Sequence, residues 1–375
     1  MVLGLFLRWL SRSSLTINPA VETRTGNREV TPQKFPLITG SALILFSLGV
    51  IQVAPAADNL SRYEYFRILM GTKMRIVLYA VSEEQARTAA TAAFLRIQQL
   101  DEIMSDYNSG SELMRLCLEA FHVARPVTPD LFRVLEESLR FSDLSQGAFD
   151  VTVGPVVALW REARRNKQLP DGKELQRARD RVGYKKITLN PESSSVRLEQ
   201  PGMRLDLGGI GQGYAADQAL AILTARGIPS ALVDAGGDIA LGPAPPDCPG
   251  WGVELPETVL AATANGRLTL HDCGITTSGD TEQFVELGGI RYSHIIDPES
   301  GWALRDSASV TVIAPDATTA DALATALAVL PPHRGLRLAD SQPGVAALIV
   351  RRSGRGLTKY PSQRMRPYLD GSASR

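Results

Sequence analysis

The stretch Met203-Arg-Leu-Asp206-Leu-Gly208-Gly209-Ile-Gly211-Gln212-Gly213-Tyr-Ala-Ala-Asp217 limits how this chain can fold more than any other. It reads as a short alternating strand that breaks into a glycine-dense turn and continues as a helix through Arg226, stopped by Gly227. Glycines let the backbone approach a ligand closely, and the first N–H groups of a helix point at an anion placed before it. A carboxylate, Asp206, delivered into such a turn is good equipment for holding phosphates. The same pattern also serves as an ordinary tight β–α connection.

The remaining chain reads as mixed α and β. Tyr63–Met70 and Met74–Tyr79 alternate as strands around Gly71-Thr72. Ser82 caps a helix to about Met104, with acids in its first turn, and a loop follows through Leu113. Thr128 at the N-cap and Pro129 at N1 start a second helix that ends near Leu144, with Gly147 suited to its C-terminal cap. Gly147–Pro155 reads as strand-like with a turn at each end, and the charged run Arg161–Arg181 as one surface helix. Further strands are expected at Ser230–Ala235, Gly252–Leu255, Arg267–Leu270, Val310–Ile313 and Val345–Val350. Two more, at Glu282–Leu287 and Ile290–Ile296, meet at Gly288-Gly289 as a hairpin. Gly242–Gly250 is a proline-rich loop, Thr318–Leu330 a helix stopped by Pro331-Pro332, and residues 353–375 a loosely ordered tail.

Charge is balanced over the 375 residues, 40 basic against 40 acidic, which leaves no footprint for nucleic acid. The three cysteines, Cys117, Cys248 and Cys273, make neither a zinc pattern nor a disulfide framework. Residues 1–56 read as a leader: Phe35–Ala57 carries no charge, Leu37–Val53 is strongly apolar, Lys34 precedes it and Ala54-Pro55-Ala56 fits a signal-cleavage rule. Export to the periplasm follows. Without cleavage, residues 37–53 would act as an inner-membrane anchor facing the periplasm.

Two further stretches carry chemistry. Asp321 and Thr325 lie four apart on one helix face and offer hard oxygen donors for Mg²⁺. The blander reading is a capping box from Thr318 to Asp321. His294 follows a strand end and precedes the acidic turn at Asp297-Pro298, on the face opposite Ile295; it is a candidate for proton transfer or phosphate contact.

Eight short blocks, in order along residues 57–352, resemble the ApbE family of Mg²⁺-dependent FAD:protein FMN transferases. They are Met70-Gly71-Thr72, Met104-Ser105-Asp-Tyr107 with Ser111-Glu112-Leu113, Gly147-Ala148-Phe149-Asp150, Asp206-Leu-Gly208-Gly209-Ile with Gly213-Tyr214, Gly236-Gly237-Asp238-Ile239, Thr277-Ser278-Gly279-Asp280, His294-Ile-Ile-Asp297-Pro298 with Gly301, and Ala320-Asp321-Ala-Leu-Ala-Thr325. The resemblance implies an α+β, T-fold-related unit of two interlocked lobes, with mixed or antiparallel sheets and flanking helices, and FAD between the lobes. It implies FAD contacts at Met70, Tyr107, Ala148, Phe149, Asp150, Asp206, Gln212 and Ile295. Mg²⁺ would take the Gly209 carbonyl, Asp321 and Thr325. FMN would pass from FAD to a Thr or Ser hydroxyl of an acceptor flavoprotein with loss of AMP, His294 assisting.

The chain departs from the family where Gln212 replaces a usual lysine, where Thr281 replaces an aromatic residue, and at Ser300-Gly301-Trp302. The same site could instead serve as an FAD pyrophosphatase or a non-catalytic flavin carrier. A distant alternative is a nicotinamide dehydrogenase. Gly211-Gln-Gly213-Tyr-Ala-Ala216 fits G-x-G-x-x-A, and Asp234 lies about 20 residues on.

Overall fold

In the computed structural model, which describes residues 60–255, 267–279, 284–305, 307–353 and 356–369, the sheet begins with a hairpin turned by two left-handed residues. Strands β1 (Ser61–Leu69) and β2 (Thr72–Ala80) close with Leu69 opposite Thr72, and Met70 (φ +50°) and Gly71 (φ +71°) form the turn between them. Positive φ at both central residues matches the right-handed twist of the paired strands.

Helix α1 (Glu83–Met104) follows, with the Ser82 hydroxyl accepting from the Gln85 N–H at 3.2 Å. Next come α2 (Glu112–Glu119), β3 (Arg125–Pro126) and α3 (Pro129–Ser145), then α4 (Gly154–Asn166) and α5 (Gly172–Arg179). The strands β4 (Ile187–Asn190) and β5 (Ser195–Leu198) precede α6 (Gly211–Ala225), β6 (Ala231–Ala235) and β7 (Asp238–Leu241). Five short strands come after: β8 (Trp251–Glu254), β9 (Arg267–Leu270), β10 (Cys273–Gly279), β11 (Phe284–Leu287) and β12 (Ile290–Ser293). The chain continues as β13 (Ser307–Ala314), α7 (Ala317–Val329), α8 (Pro332–Ser341), β14 (Ala346–Ser353) and β15 (Gly356–Pro361).

Eight strands pair in the order β1-β2-β6-β7-β10-β13-β14-β15, every neighbour antiparallel. One face carries the main core, built with α1, α6 and α7. Helix α1 shows why: Ala86, Ala89, Ala90, Ala93, Phe94, Ile97, Leu100 and Met104 recur at helical spacing and are all buried. Helix α7 is apolar nearly all round and is buried to match. The opposite face holds Val77, Leu232, Ile275 and Leu348 under the antiparallel pair β8 and β9 and Tyr368. A smaller lobe packs Trp160 of α4 against Tyr292 of the β11–β12 hairpin at 5.2 Å between ring centroids.

Several local expectations are corrected. No strand forms at 203–207; the segment runs beside the start of α4, where a β-carbon on Gly154 would stand 2.5 Å from the Arg204 carbonyl oxygen. Gly147–Pro155 is not a strand either. Asp150 caps a 3-10 turn at Val151–Val153, and Pro155 then opens α4 near its N-terminus. The charged run 161–181 is two helices, because Asp171 accepts from the Lys173 and Glu174 N–H groups and starts α5 afresh. Helix α7 is capped by Asp316, which accepts from the Thr319 N–H at 2.7 Å, so the Thr318–Asp321 capping box does not form. Pro331-Pro332 ends α7 and also opens α8. The tail expected to be loose adds β15 to the sheet edge, followed by Met365 and Tyr368 buried against the second core. Helix α2, the β3-β5-β4 sheet and the central strand β10 went unanticipated.

The leader, residues 1–56, and the departure at Thr281 with its neighbour Asp280 lie outside the described residues. Among the described residues no helix is long and apolar enough to cross a membrane.

Helices α6 and α7 approach closely at Gly213 of α6, where a β-carbon would stand 2.3 Å from the Ala317 carbonyl oxygen and 2.9 Å from Asp321 Cβ. Gly213→Ala is expected to cost about 1–3 kcal/mol of stability through overpacking. A urea-unfolding midpoint equal to that of the unaltered protein would show that α6 and α7 part without cost.

Candidate active site

The glycine turn and α7 meet at the mouth of a cleft of about 730 Å³. Gly208, Gln212, His294, Asp321 and Thr325 all line it, with Gly236, Gly237 and Asp238 from the β6–β7 turn. Two contacts fix the meeting. The Gly213 N–H donates to Asp321 Oδ2 at 3.1 Å. At Gly209 a β-carbon would stand only 2.8 Å from the Thr325 hydroxyl and 3.3 Å from the Phe149 ring. Asp321 and Thr325, one helical turn apart, thus face the glycine turn together. His294, just past the end of β12, is half-buried in the same wall, while Ile295 turns into the main core.

The other predicted residues do not line this cleft. Asp206 pairs with Arg161 at 3.0 Å and accepts from the Gly208 N–H at 2.9 Å. Arg161 also pairs with Asp106, and its guanidinium lies 4.2 Å from the ring centre of Tyr107, which is 80% exposed. Burial pushes the Asp206 carboxyl up, the neighbouring Asp106 charge adds to this, and Arg161 opposes it. The Met70 N–H donates to Asp101 at 3.1 Å in the hairpin turn, and its methyl would touch a β-carbon at Gly211. Ala148 and Phe149 are buried. Asp150 accepts from the Thr152 N–H and hydroxyl and from the Tyr184 N–H, at 2.6–2.8 Å, so its carboxylate is occupied by the protein itself.

Three acids at the α6–α7–sheet junction have raised pKa values. Asp321 lies well above the ordinary carboxylate range because it is buried, with the charge of Asp238 next in weight and Asp217 adding less. Asp238 is also raised, by burial first, against the pull of the Thr276 hydroxyl and with the Asp234 charge adding to it. Burial takes Asp217 to about 6, against the pull of the Thr318 hydroxyl and of the Ala317 and Thr318 N–H groups. Of these acids only Asp321 was singled out from the sequence. Asp238 stood in the Gly-Gly-Asp block without a role. Asp217 looked like one more residue of a helix, and Arg161 like part of a surface run.

The profile of the ApbE family matches residues 70–349. This chain belongs to the ApbE family. Among curated ApbE relatives, a Treponema pallidum protein named FAD:protein FMN transferase is 33% identical over 320 residues, covering 81% of this chain and 86% of the relative. The flavin transferase ApbE of Vibrio cholerae superposes with a TM-score of 0.74 at 29% identity, over 83% of this chain and all of that one. The Thermotoga maritima ApbE protein gives 0.72 at 28%, over 82% and 99%. The ApbE fold also disposes of the nicotinamide alternative. The dinucleotide fingerprint needs a strand before its glycines and a parallel βαβ unit, whereas no strand precedes Gly211 here and the main sheet is antiparallel throughout.

The raised Asp321 pKa has a stability consequence. Below its ordinary value of 3.8 the group is neutral both folded and unfolded, and burial costs nothing. As pH climbs from there through the raised folded value, the unfolded chain ionises first and stability is lost. In metal-free protein at mildly alkaline pH, Asp321→Asn should therefore raise the melting midpoint by at least about 2 °C, the response to roughly 1 kcal/mol in a large domain. The gain should shrink to nothing toward acid pH. An equal gain at both ends of the range would remove the charge explanation.

Proposed function

We propose that this chain is a Mg²⁺-dependent FAD:protein FMN transferase that moves FMN from FAD to a Thr or Ser hydroxyl of an acceptor flavoprotein and releases AMP. The observation that carries this reading is the convergence of the 208–213 glycine turn with Asp321 and Thr325 in one cleft, tied by the hydrogen bond from Gly213 to Asp321. The activity named for the Treponema relative supports it.

The residues present suit a small hard cation. A carboxylate at Asp321, a hydroxyl at Thr325 and the nearby Gly209 carbonyl are oxygen donors, and Mg²⁺ takes few of these so that phosphate oxygens can complete its shell. When bound, the cation supplies charge neutralisation on the pyrophosphate and the departing AMP. In the step itself an acceptor oxygen forms a bond to the FMN-side phosphorus. The bond from that phosphorus to the bridging oxygen breaks, and the electron pair leaves with AMP. The hydroxyl proton goes to a base; His294 lines the cleft and is our assignment for this, or for steadying the phosphate.

Outside the lining of that cleft, Met70, Tyr107, Ala148, Phe149, Asp150, Asp206 and Ile295 form our assignment for the flavin end. The exposed Tyr107 ring, backed by Arg161, offers a face for stacking. Gln212 stands in the cleft where the family commonly has lysine, and its amide can donate to a phosphate oxygen without adding charge.

Incubation with FAD, Mg²⁺ and a threonine-bearing acceptor domain tests the reading by mass. AMP together with an acceptor heavier by FMN supports transfer. AMP with free FMN identifies a pyrophosphatase, and bound but intact FAD a carrier. Asp321→Ala should cut AMP release by about 100-fold or more, and Gln212→Lys should hold or raise it. Turnover unaffected by Asp321→Ala would remove the metal assignment.

We also propose that the protein works outside the cytoplasm, in the periplasm or held at the inner membrane through residues 37–53, from the leader sequence alone. N-terminal sequencing of exported protein should begin near Ala57; a start at Met1 in a membrane fraction indicates the anchor instead.

A further inference from the structure

The reading above leaves Asp238 without a task, although it lines the same cleft as Asp321. The register of β7 on β10 sets Asp238 opposite Thr276 and Ala240 opposite Gly274. Side chains alternate along a strand, so these four leave the sheet on one face. It is the face that α7 covers: a β-carbon on Gly274 would stand 2.2 Å from the Ala317 nitrogen, and Ala240 belongs to the helix-side core. Asp321 of α7 lines the same cleft and is near enough to Asp238 for that charge to raise its pKa. Asp238 is 7% exposed, Asp321 3% and Thr276 2%.

The Thr276 hydroxyl makes no hydrogen bond of full geometry among the described residues, although it lies close enough to the Asp238 carboxylate to draw that acid's pKa down against burial. Buried hydroxyls are nearly always satisfied. An incompletely met one beside two buried carboxylates whose charges repel marks a place where a further group is missing. Among the described residues no three acidic, histidine or cysteine side chains cluster as a metal cage. The oxygen set here is therefore two carboxylates and a hydroxyl, open on the cleft side to water or phosphate.

Resting on the transferase reading, we infer that Asp238 is the second carboxylate of the cation site: Asp238 and Asp321 together hold one divalent ion, and Thr276 is the residue that orients Asp238 toward it. A neutral residue at position 238 leaves the ion facing a single negative charge, and affinity falls. Asp238 is thus a positioning and charge-supplying residue that acts on the ion and need not touch the flavin.

Mn²⁺ alone is the probe, titrated into the full chain without FAD at mildly alkaline pH and followed by loss of the free-ion paramagnetic signal. The unaltered protein should bind one ion per chain. Asp238→Asn should weaken binding by at least about ten-fold, as should Asp321→Asn, and Thr276→Val by a smaller factor. Melting of the same metal-free proteins keeps the test independent of folding. Asp238→Asn removes one of two like charges, so it should melt no lower than the unaltered chain, yet lose the rise in midpoint that Mn²⁺ induces. Full Mn²⁺ affinity in Asp238→Asn with binding lost in Asp321→Asn overturns the inference and leaves FMN transfer standing. So does an unaltered protein that binds no ion until FAD is added. Undiminished binding in Asp321→Asn overturns this inference together with the metal assignment on which it rests.

Discussion

The contact between α6 and α7 holds the rest of this structure in place. With no side chain at Gly213, the two helices approach until the Gly213 N–H meets Asp321. Four residues further along α6, Asp217 accepts from the N–H groups of Ala317 and Thr318 at 2.9 and 2.8 Å and so caps the neighbouring helix from outside. Each helix thereby satisfies a donor of the other with a carboxylate. The start of α7 also rests on the sheet through Gly274, again at a distance no β-carbon would permit. The cleft is what remains between the glycine turn, the end of α6 and the β6–β7 turn once these approaches are made.

Burial alone does not tell how fully an acid's charge is answered in this molecule. Asp150 is buried and Asp217 half-buried, and each is met by three protein donors. Asp321 receives the Gly213 N–H and faces the repelling charge of Asp238. An acid held in a water-poor place with its charge incompletely answered costs stability, and such sites concentrate where a ligand completes them. The distinction between the two kinds of acid is therefore one of donor supply. That supply is set by backbone groups from distant parts of the chain.

Much of the fold was written locally. Ser82, Thr128 with Pro129, and Gly288-Gly289 act on residues a few positions away, and the elements they start or turn appear where expected. Failures came where a local cue had a competitor. Pro331-Pro332 reads as a stop, yet it also opens α8, because proline fits the first turn of a helix. Thr318 and Asp321 have capping-box spacing, but Asp316 already fills the cap. Strand β10 ends in Thr277-Ser278-Gly279, and that polar stretch hid a strand central to the sheet. The tail looked solvated because β15 is an edge strand, half of whose groups face water.

By itself the sequence determined the glycine turn before α6, the Asp321–Thr325 face of α7, and the caps and turns, each of which rests on spacing within one short segment, and also family membership, which rests on several such segments in order. Only the tertiary structure decided that the turn and the face would share a cleft with His294, that Asp238 would stand beside Asp321, and that Asp206 and Tyr107 would gather around Arg161 instead. The reason is physical. A residue's spacing along a helix or strand is fixed by backbone geometry that every segment carries with it. Its partners across the fold, and hence its charge state, depend on which backbones can approach closely enough, and that is settled by packing among segments a hundred residues apart.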